Sequence, residues 1–156
     1  MEMEPSFQAS SGAGSPSEPQ LTSLQKAELL RGVDLFSSMT VEELFQVAAV
    51  TREVQFASGE IVARENDVGN PLYLIVQGKI ELTSRREEWR EVVESGGFFG
   101  LHSWLTREPL SFTAKALEDT MGLAIGSEDF FSLLSSDTEI ASSLFKYFVK
   151  KCGITR

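Results

Sequence analysis

The spacing of apolar residues divides the chain into helical ends and a middle with strand periodicity. At the N-terminal end, residues 21–31 carry apolar side chains at helical spacing, and Gly32 follows as a helix terminator. Thr40 and Glu43 then stand three positions apart ahead of an apolar run, which is the pattern of a capping box. A second helix is therefore predicted to begin after Thr40.

Helical spacing returns at the C-terminal end of the chain. Ser127 is predicted to cap one helix, and residues 140–151 are predicted to form another that ends at Gly153. The apolar side of this last helix is predicted to consist of Ile140, Leu144, Phe145, Phe148 and Val149.

Between these helices the pattern changes from helical to alternating. Short alternating or apolar runs are separated by turns rich in Gly, Asn and Asp, which indicates a sandwich or barrel. Strands are predicted at residues 53–56, 61–64, 71–76, 79–83, 89–93, 112–117 and 121–125. The predicted fold class is mainly β with flanking helices, and a short helix is inserted between the strands.

Length and composition limit the domain organisation. The 156 residues are enough for one ordinary domain with short appendages. Residues 1–20 are rich in Ser, Gly, Pro and Glu, a composition that cannot offset the entropy of folding. They are predicted to form a disordered tail or linker, and residues 21–156 are predicted to form the domain.

Charge and the scarcity of two residue types disfavour several functions. A net charge of −9 makes the chain a poor electrostatic partner for nucleic acid. The chain has one Cys and one His, so an internal disulfide is impossible, and metal sites or catalysis built on these residues are disfavoured. No catalytic motif is recognised, and the chain is predicted not to be an enzyme.

The sequence gives no indication of membrane insertion. The N-terminus lacks the basic and apolar regions of a signal peptide, and no apolar run approaches the ~20 residues that span a bilayer. The chain is therefore predicted to be cytoplasmic, either by itself or as the cytosolic domain of a larger, even membrane-bound, protein.

The segment from Gly96 to Ala114 carries the most specific pattern in the chain. It reads Gly-Gly-Phe-Phe-Gly-Leu-His-Ser-Trp-Leu, then a short variable stretch, then Pro-Leu-Ser-Phe-Thr-Ala. This resembles the phosphate-binding cassette of cyclic nucleotide-binding domains, which reads Phe-Gly-Glu, an apolar residue, Ala, Leu, and later Pro-Arg, a small residue and Ala. Leu101 stands at the position of the Glu, and Leu110 stands at the position of the Arg.

The resemblance extends over roughly residues 29–149. Gly59, Gly69 and Gly78 match the three turn glycines of the family, at matching spacing. The resemblance implies a β-roll, or jelly roll, of about eight antiparallel strands. It also implies an N-terminal helical pair and C-terminal helices that act as a hinge and a lid.

The cassette supplies the candidate ligand site. A tight glycine turn into a short helix directs free backbone N–H groups and the positive end of the helix dipole toward an anion. The resemblance implies cAMP or cGMP as that ligand. The candidate site residues are Phe99, Gly100, Leu101, His102, Ser103, Leu110 and Ser111. The backbone N–H groups of residues 101–103 are the predicted donors.

The two leucines change what this site can do. In the family the Arg binds an exocyclic phosphate oxygen and the Glu holds the ribose 2′-hydroxyl, and a leucine forms neither bond. Loss of one charge-assisted hydrogen bond costs about 1.5–3 kcal/mol, or roughly one to two decades of affinity. We therefore predict that the pocket is impaired for cAMP and cGMP.

Four other residues near the cassette have two interpretations each. Arg107 and Lys115 are candidates to replace the missing Arg, and both are interpreted as solvated surface charges. His102 is interpreted as structural rather than as a phosphate donor. Trp104 is interpreted as a core residue rather than as a cover for a purine ring.

Three functional hypotheses remain. The leading one is a non-enzymatic regulatory or interaction module that packs its helices against a protein partner or a larger host chain, with a homodimer through the terminal helices as one form. The alternative is a sensor that binds cAMP, cGMP or another small molecule through the cassette backbone and signals by movement of the helices at residues 127–151. A transcription factor of the catabolite-activator type is disfavoured, because no helix-turn-helix follows and the chain is acidic.

Overall fold

The computed structural model describes residues 21–152, which form five α-helices, a 3-10 turn and eight strands. The helices are α1 (Ser23–Arg31), α2 (Val41–Ala49), α3 (Leu101–Thr106), α4 (Ser127–Ser136) and α5 (Thr138–Cys152), and the 3-10 turn is Asp34–Phe36. The strands are β1 (Thr51–Phe56), β2 (Ile61–Ala63), β3 (Leu72–Gln77), β4 (Lys79–Ser84), β5 (Trp89–Glu94), β6 (Phe98–Phe99), β7 (Thr113–Ala116) and β8 (Thr120–Ile125). The predicted fold class is confirmed. The predicted tail at residues 1–20 and the predicted stop at Gly153 lie outside the described residues.

The starts of the first two helices are set by capping boxes. The Thr40 hydroxyl accepts the Glu43 N–H at 3.2 Å, and a Glu43 carboxylate oxygen accepts the Thr40 N–H at 3.1 Å, which confirms the predicted box. The predicted cap at Ser127 is wrong. Ser127 is already the first residue of α4, and the cap position belongs to Gly126, whose extended backbone carries no side chain that can accept a bond.

The strands form two antiparallel four-stranded sheets that face each other. The first sheet has the order β1-β8-β3-β6, and the second has the order β2-β7-β4-β5. Neighbours in space are mostly distant in sequence, as expected of a roll rather than a meander. Seven of the eight strands correspond to predicted strands. The exception is β6, because its two residues are too few to show a period.

Alternating residues of β3 belong to two different cores. Leu72 and Leu74 pack with the helices, whereas Tyr73 and Ile75 pack between the two sheets. Successive side chains of a strand point to opposite faces, so the first sheet is covered on both faces. The helices therefore lie on the outside of the roll, and the interior of the roll is a second core.

The buried face of α5 differs from the prediction. Ile140 is buried as predicted, but Phe145 is 68% exposed and Tyr147 is buried instead. The Ser143 hydroxyl, also buried, donates at 2.9 Å to the buried carboxylate of Glu43 on α2. Together with the burial of Ile140, Leu144 and Tyr147 on the same side of α5, this contact goes with an outward position of Phe145.

Gly122 lies where two strands of the first sheet approach closely. A Cβ at this position would lie 2.5 Å from the backbone oxygen of Leu74. We expect Gly122→Ala to lower the free energy of unfolding by about 1–3 kcal/mol, because the strands must separate to admit the methyl group. Denaturant titration would measure this loss, with Gly32→Ala as the control. A Cβ at Gly32 meets only an ordinary contact at 3.5 Å, so an equal loss in both variants would contradict the explanation.

Candidate functional site

The cassette begins with a left-handed glycine between β6 and α3. Gly100 has φ 93° and is the N-cap of α3. A Cβ there would lie 3.3 Å from the Pro71 backbone oxygen, so both the conformation and the space favour glycine. The N–H of Trp104 donates to the Gly100 carbonyl at 3.0 Å. The predicted donors therefore lie in the first turn of a helix, where N–H groups have no acceptor within the helix.

None of the three residues in this turn belongs to the core between the two sheets. Leu101 is half-buried and packs against the core formed with the helices. His102 is exposed, and its Nε2 lies 3.0 Å from Oε1 of Glu108. Both members of this pair are well exposed, so it contributes little to stability. Ser103 is half-buried, and its carbonyl accepts the Arg107 N–H at 2.8 Å.

Leu110 points into the interior of the roll. Leu110 is 3% exposed and belongs to the core between the two sheets. Two backbone hydrogen bonds hold it to the β2–β3 loop: its N–H donates to the Asp67 carbonyl at 2.8 Å, and its carbonyl accepts the Asn66 N–H at 2.7 Å. Ser111, the next residue, is exposed. The position that the resemblance gives to the Arg is thus held firmly by an apolar side chain.

Aromatic rings occupy the interior beside Leu110. Tyr73 and Phe99 stack with ring centroids 5.1 Å apart, and Phe56 meets Tyr73 edge-on at 5.9 Å. Phe112 meets Phe99 edge-on at 6.1 Å. Of these residues, sequence reasoning assigned only Phe99 to the site. The available signal was the alternation of β3, which puts Tyr73 on the same face as Ile75.

Tyr73 is a neutral polar group within this aromatic cluster. Burial raises the pKa of its hydroxyl to about 12; the Arg52 guanidinium opposes the rise and the Asp67 carboxylate adds to it. Because the folded pKa lies above the unfolded value of 10.0, the neutral hydroxyl favours folding below pH 10, and this contribution is lost as the pH rises toward 12. At neutral pH the hydroxyl is therefore protonated.

Trp104 is a core residue, as predicted. It is 1% exposed, its indole N–H donates to the Ile125 carbonyl at 2.9 Å, and its ring lies 4.7 Å from that of Phe130. Its ring therefore packs among core residues, where it does not cover a ligand.

Neither nearby cation takes the place of the missing arginine. The guanidinium of Arg107 lies over the ring of Phe131 at 5.1 Å and so packs against α4. Lys115 is exposed on β7 between two fully buried alanines, Ala114 and Ala116. Since alternating residues face opposite sides of a strand, Lys115 points outward. The interpretation of both residues as surface charges agrees with these positions.

The fold and the cassette geometry agree with a comparison against families of known proteins. A family model described as the cyclic nucleotide-binding domain matches residues 53–137, more than half of the chain. The chain belongs to the cyclic nucleotide-binding domain family. The predicted family resemblance is therefore confirmed, and so is the β-roll that it implied.

Similar proteins include several regulatory members of the cyclic nucleotide-binding domain family. A cyclic nucleotide-gated potassium channel of Rhizobium etli is 25% identical over 126 residues, which are 81% of this chain and 35% of the channel. A cAMP-dependent protein kinase regulatory subunit of Blastocladiella emersonii is 29% identical over 115 residues, covering 71% of this chain and 28% of the subunit. The chain thus spans about a third of the length of these relatives.

Among solved structures, one similar to this chain is the N-terminal domain of a transcriptional regulator from Streptomyces coelicolor. The two share 26% identity with a TM-score of 0.71, over 80% of this chain and 90% of that one.

In the part of the chain that the structure describes, no group of three or more His, Cys, Asp or Glu side chains is placed to hold a metal ion. Within residues 21–152, no helix has both the length and the apolar composition needed to cross a bilayer.

Proposed function

We propose that this chain is a non-enzymatic regulatory or interaction module whose cyclic nucleotide-binding pocket is impaired for cAMP and cGMP. The observation that carries the proposal is Leu110, buried among aromatic rings at the position that the family gives to its phosphate-binding Arg. A leucine offers no donor to a phosphate oxygen. Its neighbours Tyr73 and Phe99 are apolar over most of their surface, so they do not neutralise an anion either.

The energetic argument follows from the missing donor. A charge-assisted hydrogen bond contributes about 1.5–3 kcal/mol, so its loss lowers affinity roughly tenfold to a hundredfold. A phosphate placed beside Leu110 would also lose water without gaining a counter-charge. The half-buried Leu101, at the position of the family's Glu, leaves the ribose hydroxyl without its partner as well.

We further propose that the module works through protein contacts, inside a larger host chain or with a separate partner. The relatives named above are about three times longer than the matched segment, and one is a channel. We place the module in the cytoplasm or on the cytosolic side of a membrane-bound host. Nucleic acid is not a proposed partner, because the chain is acidic. A homodimer through the terminal helices is one proposed form of association.

Calorimetric titration of the purified chain with cAMP and then cGMP, up to millimolar ligand, tests the impaired pocket. We expect no heat of binding and no shift in melting temperature. Saturable binding at micromolar ligand would contradict the proposal and favour the sensor described next.

A specific observation supports the alternative, a sensor that binds a ligand through the cassette backbone. The left-handed Gly100 and the first turn of α3 keep the geometry that presents free N–H groups. Asn70 precedes Pro71, whose backbone oxygen lies close to Gly100, and the side-chain oxygen of Asn70 is buried and has no hydrogen-bond partner among the described residues. A ligand donor could satisfy it. In this alternative, ligand draws the cassette inward and α4 and α5 move to cover it.

Phe145 is the residue that best tests association through the last helix. Its side chain is apolar and 68% exposed on α5. We expect Phe145→Asp to abolish self-association, or association with a host fragment, while changing the free energy of unfolding by no more than about 0.5 kcal/mol. Analytical ultracentrifugation measures the first quantity and denaturant titration the second.

The matched control for this variant is Val68→Asp. Val68 is also 68% exposed, but it lies in the β2–β3 loop. An association state that is unchanged by Phe145→Asp, or altered equally by both variants, would exclude the outer face of α5 as the contact.

A further inference from the structure

A groove on the outside of the roll borders the start of the cassette segment, at Gly96–Phe98, but contains none of the candidate site residues. Its first part is an apolar cleft of about 290 Å³ between α1 and the outer face of the first sheet. The cleft is lined mainly by Leu29, Leu30, Val33, Leu74, Val76 and Leu123. Its volume is near the lower end of the ~300–1,000 Å³ typical of ligand pockets. Its accessible apolar surface comes mainly from the half-buried Leu29 and Val76, because the other four residues are 0–3% exposed.

A wider hollow of about 530 Å³ adjoins the cleft, beside β5 and the turn that follows it. The two share Gly32, Ser95 and Gly96 in their walls, and we treat them as two parts of one groove. We call them the apolar cleft and the acidic arm. The acidic arm is lined by β5 and by Asp34 of the 3-10 turn.

Every charged residue in the walls of the groove is a Glu or an Asp. Glu28 lies at the apolar cleft, and Asp34, Glu91 and Glu94 lie along the acidic arm. All four are exposed, and within residues 21–152 none of them forms an ion pair with Lys or Arg. Glu91 and Glu94 project from opposite faces of β5, and the cation directly across the ladder is Lys79 of β4, the register partner of Glu94. A concave surface lined by one sign of charge focuses the electric field and attracts the opposite charge.

The combination defines the chemistry of an occupant. We propose that the groove binds a short basic peptide segment of a partner protein, with one apolar side chain in the apolar cleft and Lys or Arg side chains along the acidic arm. Opposite charges across such a surface speed association and select the partner, while the apolar anchor supplies contact area. The proposal stands whether or not the cassette binds a nucleotide.

The groove also borders the last helix. Phe98, in the wall of the acidic arm, lies edge-on to the Tyr147 ring of α5 with centroids 6.4 Å apart. Burial raises the pKa of Tyr147, and the carboxylate of Asp34 raises it further. The negative charge of Asp34 therefore acts electrostatically on a side chain of α5. A peptide that neutralises the acidic arm would therefore act next to α5, on the opposite face of the first sheet from Leu110.

Fluorescence anisotropy with a labelled peptide tests the proposal. The probe is a fluorescein-labelled basic peptide in which a single Leu lies among Lys and Arg, titrated with the full chain at low and at physiological salt. We expect saturable binding that weakens with salt. We also expect it to weaken at least about fivefold when the Leu of the peptide is replaced by Ser, because the apolar cleft then loses its occupant.

Charge reversal in the groove is compared with the same reversal elsewhere. Glu91→Lys with Glu94→Lys should weaken binding at least about tenfold, because two attractions become repulsions. The control is Glu87→Lys with Glu88→Lys, at the exposed tip of the β4–β5 hairpin. The control carries the same change in net charge, and we expect it to weaken binding less than about threefold at physiological salt, where distant charges are screened.

Several outcomes would overturn the proposal. Equal loss in both double variants would show attraction by net charge alone, and equal affinity for the Leu and Ser peptides would show an unoccupied cleft. Self-association of the chain that is broken by the Glu91 and Glu94 changes would show a second copy as the occupant.

If those changes unfold the chain, Leu29→Trp provides a second variant. Because the Trp side chain would fill the apolar cleft, this variant should bind the Leu peptide more weakly and bind the Ser peptide with unchanged affinity.

Discussion

Leu101→Glu combined with Leu110→Arg is expected to give the chain measurable cyclic nucleotide binding. The substitutions supply the two charged groups that the cassette lacks, while Gly100 and the first turn of α3 already present backbone donors. Each restored charge-assisted hydrogen bond contributes about 1.5–3 kcal/mol, so each raises affinity roughly tenfold to a hundredfold. Calorimetric titration with cAMP and cGMP, compared with the unaltered chain, measures the gain.

The same double substitution is expected to lower the stability of the ligand-free protein. Leu110 is 3% exposed between the sheets, so an unpaired guanidinium there loses its water and destabilises the ligand-free protein. A nucleotide that pairs with the Arg should then raise the melting temperature, because it binds only the folded chain. Leu101→Glu with Leu110→Lys is the matched control: it has the same charge but lacks the planar fork that holds a phosphate through two bonds, so its gain should be smaller.

One result would contradict the interpretation of the cassette. If the Glu and Arg variant folds, as circular dichroism would show, and still gains no affinity over the unaltered chain, the turn at Gly100 does not present a phosphate site. The aromatic filling of the roll, rather than the two leucines, would then be the cause of the impaired pocket.

Trp104→Ala is expected to lower the free energy of unfolding by about 3–5 kcal/mol, the range for truncating a large buried aromatic side chain. Trp104 is 1% exposed and joins three elements, because it lies on α3, packs on Phe130 of α4 and donates to the Ile125 carbonyl of β8. Its removal leaves a cavity and also deletes the indole donor to the Ile125 carbonyl. Denaturant titration monitored by far-UV circular dichroism measures the loss.

Two control variants separate the causes of this loss. Trp104→Phe keeps one aromatic ring but removes the indole donor and part of the buried volume, so it should cost about 1–3 kcal/mol. Trp89→Ala removes the other tryptophan, which is half-buried on β5, and should cost less than the change at Trp104 because the site opens to water. A loss at Trp104 no greater than the loss at Trp89 would contradict the central position assigned to Trp104.

Local sequence signals predicted the parts of the fold that local interactions determine. The capping box at Thr40 depends on residues three positions apart, and the observed bonds lie within that segment. The seven predicted strands appear within a few residues of their expected ends, because alternation is itself the mark of a strand covered on one or two faces. The order of the strands in the two sheets was not predicted, since alternation specifies no partner and the family resemblance implied only a roll of about eight antiparallel strands.

Features that depend on tertiary packing were not predictable in this way. The rotation of α5 depends on contacts distant in sequence, such as the hydrogen bond between Ser143 and Glu43, residues one hundred positions apart. The sequence identified Leu110 as an altered site residue, but its burial beside Tyr73 and Phe99 required the position of both sheets. The groove between α1 and the first sheet joins segments with no common motif, so no sequence pattern marks it.

Strand β3 is buried on both faces from Leu72 to Ile75, and this limits the sequence changes it tolerates. A slip of one residue against its neighbours would send Tyr73 toward the helices and Leu74 into the roll, so both cores would receive a side chain of the wrong shape at once. In a strand with one solvent-exposed face, the same slip would disturb the packing of a single core, by placing polar side chains in it. An insertion or deletion of a single residue within Leu72–Gln77 should therefore be among the least tolerated changes in this chain, whichever ligand or partner it serves.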